Sequence, residues 1–280
     1  VSLVCDFKFM AHPWHRSSSV RLLFSALVLA TVCACSSTPH DETADWSTDK
    51  LTSEAQDMAA AGNYERASKL YERLEGRAVG TLLSQQAQLE RAYLMNKAGE
   101  KAQSLAILER FIKIHPTSPA LDYALYLQGL VNFNDNLGIL GNLTNQDLAE
   151  RDQQASRDSY QSFKQLAEKF PQSKYATDAT TRMDYIMNSL AVHEVHVARY
   201  YYKRGAFVAA ASRAQQAVQE FNDSPAAEEA LAIMARSYDK LGLTDLRNDA
   251  QRVLEKNFPN SLYISGENLS GGPKAWWRLW

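Results

Sequence analysis

Cysteine is nearly absent from this 280-residue chain. The three present, Cys5, Cys33 and Cys35, all fall in the first 35 positions. Residues 36–280 therefore offer no disulfide and no cysteine-ligated metal site. Glycine and proline are sparse, twelve and eight residues, which favours long helices over loop-rich folds. No apolar run reaches the roughly 20 residues that a membrane-spanning helix needs. No stretch sustains the apolar–polar alternation of a half-buried strand. An excess of one charge is missing too: 30 Lys and Arg stand against 32 Asp and Glu, so no basic stripe of the nucleic-acid-binding kind is expected.

What is present begins with a secretory pattern. His15, Arg16 and Arg21 precede an apolar core, Leu22 to Ala30, and the order Val32-Cys33-Ala34-Cys35 follows. That order resembles a bacterial lipobox, in which cleavage before a cysteine leaves it as the lipidated N-terminus. Residues 1–34 are thus expected to be a signal peptide, with Met10 as a plausible true start that leaves 1–9 untranslated. Cys33 is a poorer site because Val32 is larger than the small residue usual there. Cleavage before Cys35 removes 34 of the 280 residues and leaves 246. It takes away Lys8, Arg16, Arg21 and Asp6, moving the net charge from −2 to −4. A thioether-linked diacylglycerol and an N-acyl chain on Cys35 are implied by the lipobox resemblance. Several chains anchor stably where one holds marginally. Ser36, where Asp would imply inner-membrane retention, points by the same resemblance to the outer membrane.

Residues 35–47 read as a lipidated linker, and from about residue 48 helical periodicity dominates to 263. Two kinds of break recur. One reads Ile114-His115-Pro116-Thr117-Ser118, Phe170-Pro171-Gln172-Ser173, Phe221-Asn222-Asp223-Ser224 and Phe258-Pro259-Asn260-Ser261. In each, the Ser is placed to cap the next helix. Pro119 and Pro225 suit a first helical position. The other break centres on Gly62, Gly99, Gly205 and Gly242, where glycine fits the left-handed residue that ends a helix. Gly62 to Gly99 and Gly205 to Gly242 are both 37 residues apart, close to the roughly 34-residue period of tetratricopeptide repeats. Ala67 and Tyr71, repeated by Ser159 and Phe163, follow the Ala-x-x-x-aromatic spacing of such repeats, and Ala235 and Tyr238 match the Gly-x-x-Tyr slot of the first helix.

The expected fold is all-α, a solenoid of about five tetratricopeptide-like pairs with halves near 48–134 and 152–263. Residues 134–151 read as a loop inserted in the third pair. Tyr175 to Arg204 reads as one long helix. Arg247 and Gln251 replace the small and aromatic residues of the last pair, as a polar terminal cap would.

Three stretches carry a sharper resemblance. They are Phe111 to Pro119 running into Asp122-Tyr123-Ala124-Leu125-Tyr126-Leu127-Gln128-Gly129-Leu130; Arg151-Asp152-Gln153-Gln154-Ala155 with Tyr160-Gln161-Ser162-Phe163, Phe170-Pro171-Gln172-Ser173-Lys174-Tyr175 and Asp178-Ala179; and Ala198-Arg199-Tyr200-Tyr201 with Arg204-Gly205-Ala206-Phe207. Together they resemble the BamD (ComL) family, repeat lipoproteins of the outer-membrane β-barrel assembly machine. The resemblance implies a non-enzymatic scaffold on the periplasmic face of the outer membrane. It implies a C-terminal half that docks on a periplasmic domain of BamA, with Arg213 in the place of an Arg that pairs with an acidic BamA residue. It also implies accessory lipoproteins BamC and BamE as partners. The N-terminal half would receive unfolded outer membrane proteins. Helix geometry puts Tyr93, Tyr123, Tyr126 and Phe133 on or near the receiving face, with plain core packing as the alternative for each. Another periplasmic repeat lipoprotein, such as a cell-envelope division coordinator, would share the repeats but should lack the 151–179 block.

Other signals are weaker. His193 and His196 are three apart, one short of the zinc-protease spacing, and lack a third ligand. Gly271-Gly272-Pro273-Lys274 lacks the spacing of a phosphate loop and its Ser or Thr. No Ser, His and acid grouping stands out, and no metal or small-molecule cofactor is expected. The tail, 264–280, reads as flexible and ends with Trp276, Trp277 and Trp280, which suit an interfacial or partner-docking anchor or a segment packed back on the last repeat.

Overall fold

The computed structural model describes residues 42–133 and 153–264. Cys35, the expected insertion at 134–151, and the tryptophan-rich tail beyond residue 264 lie outside the described residues. The chain divides into two units, Val1–Ser47 and Thr48–Trp280. In the first, residues 42–45 turn, with the Trp46 N–H donating to the Thr43 carbonyl at 2.9 Å.

In the second unit every described element is a helix: α1 (Thr48–Ala60), α2 (Tyr64–Arg77), α3 (Leu82–Lys97), α4 (Lys101–Ile114), α5 (Leu121–Asn132), α6 (Gln153–Lys169), α7 (Ala176–Lys203), α8 (Phe207–Glu220), α9 (Ala226–Lys240) and α10 (Thr244–Asn257). Each packs on the next in sequence, and α7 also reaches α9. The ten described helices thus form five antiparallel pairs, the solenoid expected from the periodicity.

The two kinds of break become two kinds of turn, one on each edge of the stack. Within the first, second, fourth and fifth pairs, the turn is a left-handed glycine. Gly62 has φ 77°, and the Asn63 N–H reaches back to the Met58 carbonyl at 2.9 Å. The same pattern closes the turns at Gly99, Gly205 and Gly242. Any other residue would be strained there, because a Cβ clashes with the backbone at positive φ.

Between pairs, the link serines do something other than cap a helix. Ser118, Ser173, Ser224 and Ser261 each accept, through Oγ, the N–H two residues on, at 3.2 Å. The helices start later, at Leu121, Ala176 and Ala226. The hydroxyl closes a small turn there and does not reach the second or third helical N–H that a capping side chain would take, although Ser224 does accept from Ala226, the first residue of its helix. Pro225 is accordingly the N-cap residue rather than the first helical one. Two link serines also bond the preceding pair: Ser118 donates to Gln85 at 2.6 Å and Ser173 to Asp122 at 2.7 Å. These bonds hold successive links along one edge. The first link differs, using Gly80 at φ 79° and Thr81 as N-cap, whose Oγ1 accepts from the Ser84 N–H.

Small residues set the helix spacing. Ala67 and Ala210 are fully buried. At the matching positions Ser104 and Ser159, also buried, donate to the carbonyls of Ala92 and Gly129 across the pair, at 2.7 and 2.9 Å. Gly129 allows the closest approach, with the Phe163 ring lying directly on its Cα. The 28-residue α7 is continuous because Ala176–Lys203 contains neither Gly nor Pro. Its first half (Ala179, Ile186, Leu190) joins the core around Phe163 and Leu125. Its second half (Val195, Ala198) joins Ala210, Ala214, Ala230 and Ile233. On α10, Arg247 pairs with Asp239 at 3.1 Å and Gln251 is exposed, in keeping with a polar last helix.

Candidate functional site

The chemistry-bearing side chains concentrate on the first helices of the second, third and fourth pairs. Tyr93 of α3, Tyr123 and Tyr126 of α5, Tyr175 of the link and Tyr185 of α7 form a band of rings along this face. Tyr126 stacks on Tyr175 with centroids 4.6 Å apart and planes 17° from parallel. Tyr123 lies 5.6 Å from Tyr175. The Tyr126 hydroxyl donates to Asp178 Oδ2 at 2.7 Å, and Arg182 Nε donates to the same oxygen at 2.7 Å. The Arg182 guanidinium then covers the Phe133 ring at 5.0 Å. Lys97 sits 5.5 Å over Tyr93, a cation held against a π face.

The electrostatics follow from this packing. Burial pushes the Tyr123 phenol up to about 12, with Glu90 and the neighbouring tyrosines adding to the effect. Tyr126 is raised by burial, then by its bond to Asp178 and the charge of that carboxylate. Burial alone would raise Asp178. Hydrogen bonds from Arg182 and Tyr126, and the Arg182 charge, hold it below the ordinary carboxylate range instead. Burial raises Glu90. The band therefore offers neutral phenols beside fixed charges of both signs, suited to gripping an extended chain with alternating apolar and polar groups.

The four expected receiving-face residues separate into two groups. Tyr93 is 36% exposed, and Tyr123 and Tyr126 are half-buried with edges on the surface. Phe133 is different. It lies past the last helical residue with φ −72° and ψ 100°, and that extended backbone turns its ring inward. It is 8% exposed, packed edge-on against Phe163 and Tyr185. The expected stripe thus stops at Tyr126, and Phe133 belongs to the core. Tyr175, Tyr185 and Arg182 complete the band and were not among the expected receiving-face residues. Asp178 and Arg182, four apart on one helix, were the available signal.

Arg213 of α8 is half-exposed and pairs within the chain: its Nη1 lies 3.2 Å from Oε2 of Glu194, a residue of α7 that is only 3% exposed. A second, tighter pair links α7 to α9, where Arg199 donates from Nε and Nη2 to both oxygens of Glu229 at 2.6 Å. The Tyr263 hydroxyl adds a bond to Glu229 at 3.3 Å. Burial, followed by the Glu229 charge, pushes Tyr263 up to about 12. Among the described residues no group of three His, Cys, Asp or Glu side chains could hold a metal ion.

Against known proteins, residues 44–254 match the YfiO family, described as outer membrane lipoprotein. A curated relative from Neisseria meningitidis serogroup A, named outer membrane protein assembly factor BamD, is 45% identical, covering 92% of this chain and 98% of its own. Proteins of the same name from Vibrio cholerae and Xylella fastidiosa (strain Temecula1) are 33% and 31% identical, covering 84% and 91% of this chain and 97% and 86% of theirs.

Proposed function

The chain belongs to the YfiO family of outer membrane lipoproteins, and on that footing we propose that it is an assembly factor for outer membrane proteins that works by binding. The observation that carries this is relatedness along almost the whole length to proteins named for that role. The site chemistry agrees in kind, because the tyrosine band supplies contact area, hydrogen bonds and fixed charges for holding a chain. In this reading Cys35 carries the lipid tether, and Tyr93, Tyr123 and Tyr126, joined by Tyr175 and Tyr185, receive unfolded barrel proteins. The C-terminal half docks a periplasmic domain of BamA, and BamC and BamE are accessory partners.

Arg213 remains the proposed BamA contact, with its bond to Glu194 changing how it must be tested. Arg213→Glu would set two carboxylates together beside the core, so a lost interaction could reflect unfolding. Arg213→Gln combined with Glu194→Gln removes both charges and leaves neither buried alone. The decisive experiment is purification of the lipidated chain from detergent-solubilised membranes, with the bound proteins identified. Recovery of barrel-assembly subunits is expected. Their absence would overturn the assembly reading. Undiminished recovery with the Gln–Gln pair would remove Arg213 from the contact.

A further inference from the structure

Chain direction gives the two edges of the stack different roles. The tether enters α1 at Thr48. Because the pairs are antiparallel, the ends of α2 and α4 and the start of α3 share the edge where the chain enters. On that edge the first two pairs expose large apolar side chains. Val79 is 75% exposed, Leu82 66% and Ile114 56%. Val79 and Ile114 line one shallow cavity together with Gly80, Ser84 and Arg110.

Cations stand beside these tips. Arg77, Arg110 and Lys113 are exposed beside the apolar tips. Glu72 and Glu75 line the same cavity; both are bonded to Arg91, at 2.7 and 3.3 Å, and Glu75 also lies 3.9 Å from Arg110, whose side chain stays 64% exposed. With the exposed Glu109 included, the four cations Arg77, Arg91, Arg110 and Lys113 stand against three carboxylates. Farther along the edge both signs occur, with exposed Lys169 and Lys174 at one link and Asp223 and Glu228 at the next.

We propose that this edge of the first two pairs rests on the anionic phospholipid surface of the membrane that holds the tether. Val79, Leu82 and Ile114 enter the headgroup boundary, and Arg77, Arg110 and Lys113 engage lipid phosphates. The inference rests on the lipoprotein reading above. A second attachment of this kind fixes the orientation of a tethered solenoid.

The test uses the full lipid-anchored chain in vesicles of phosphatidylethanolamine and phosphatidylglycerol. An environment-sensitive dye is placed on Val79→Cys, with Val208→Cys as the control. Val208 is 69% exposed and lies near Lys203 and Arg204, on the opposite edge. Dye at 79 should shift to the blue and be quenched severalfold by spin-labelled lipid, while dye at 208 stays aqueous. Arg77→Glu with Lys113→Glu should abolish the shift. Equal, aqueous signals at both positions would overturn the proposal. So would a shift at 79 that appears only after membrane proteins are added, since the edge would then be a protein-docking surface. Co-purification with assembly subunits, read on the same labelled protein, keeps the two readings separate. Intact co-purification with an aqueous probe at 79 removes the membrane edge alone. Lost co-purification with a lipid-contacting probe removes the assembly reading alone.

Discussion

Gly129→Ala places one methyl group where the α5–α6 pair has no room. A Cβ on Gly129 would lie 2.6 Å from Cδ1 and 2.8 Å from Cζ of Phe163, and closer still to Cε1. The ring cannot swing away. It is fully buried, flanked by Tyr126 at 6.0 Å and Phe133 at 6.3 Å. The backbone cannot easily separate either, because Ser159 is hydrogen-bonded to the Gly129 carbonyl at 2.9 Å. Two effects oppose each other. Alanine is the better helix former by about 1 kcal/mol. Overpacking a fixed core costs about 1–3 kcal/mol or slightly more. The clash should win, leaving a net loss of about 1–2 kcal/mol. At roughly 2–4 °C per kcal/mol for a domain of this size, Tm should fall by about 3–6 °C. Solenoids can unfold in parts, so thermal melting followed by circular dichroism should be joined by hydrogen exchange localised to α5 and α6. Phe163→Leu shortens the obstructing group, and in that background Gly129→Ala should become neutral or mildly stabilising. A wild-type or higher Tm for Gly129→Ala alone would refute the reasoning. So would an identical penalty in both backgrounds, since the cycle isolates the contact between the two residues.

Tyr123 should limit stability in alkali. Its folded value of about 12 exceeds the ordinary value of about 10. Folding therefore favours the protonated phenol, a contribution fully present below pH about 10 and lost as pH climbs toward 12. Tyr123→Phe should remove one late-titrating phenol from the near-ultraviolet absorbance titration and move alkaline unfolding to higher pH. Titration of every tyrosine near 10 in the folded chain would contradict this. Arg199→Ala strands Glu229, whose side chain is 16% exposed. It should cost somewhat less than the roughly 3–5 kcal/mol of a fully buried broken pair, read as a lower urea midpoint with unchanged slope. Cys35→Ser should release the chain from the membrane without unfolding it; a chain retained on the membrane would count against the tether, and a released product lacking helical circular dichroism would contradict the intact fold. Tyr93→Ala with Tyr123→Ala should weaken binding of an unfolded barrel protein several-fold in a fluorescence titration while leaving α7–α10 intact. Unchanged affinity would remove the tyrosine band from client binding.

Much of the solenoid was legible because its determinants are local. A left-handed turn needs glycine, so Gly62, Gly99, Gly205 and Gly242 mark the pair turns wherever they occur. A helix runs until something breaks it, so a stretch free of Gly and Pro announced α7. Small residues at Ala67 and Ser159 announced where helices approach. Family relatedness was legible for the same reason, carried by strings of residues that do not depend on geometry to be read.

The site was less legible, because it is made by residues distant in sequence. Periodicity put Phe133 on the stripe of Tyr123 and Tyr126. The helix ends at Asn132, and one extended residue sends the ring into the core. Nothing in the linear order pairs Tyr126 with Asp178, Ser118 with Gln85, or Arg213 with Glu194. Those pairings depend on which helices the stack brings side by side. By itself the sequence determined the helices, their turns and the family. The tertiary structure decided which side chains are buried, which charges are already paired, and which helix ends share an edge of the stack. Backbone conformation is set by each residue and its near neighbours, whereas burial and pairing exist only once the repeats have stacked.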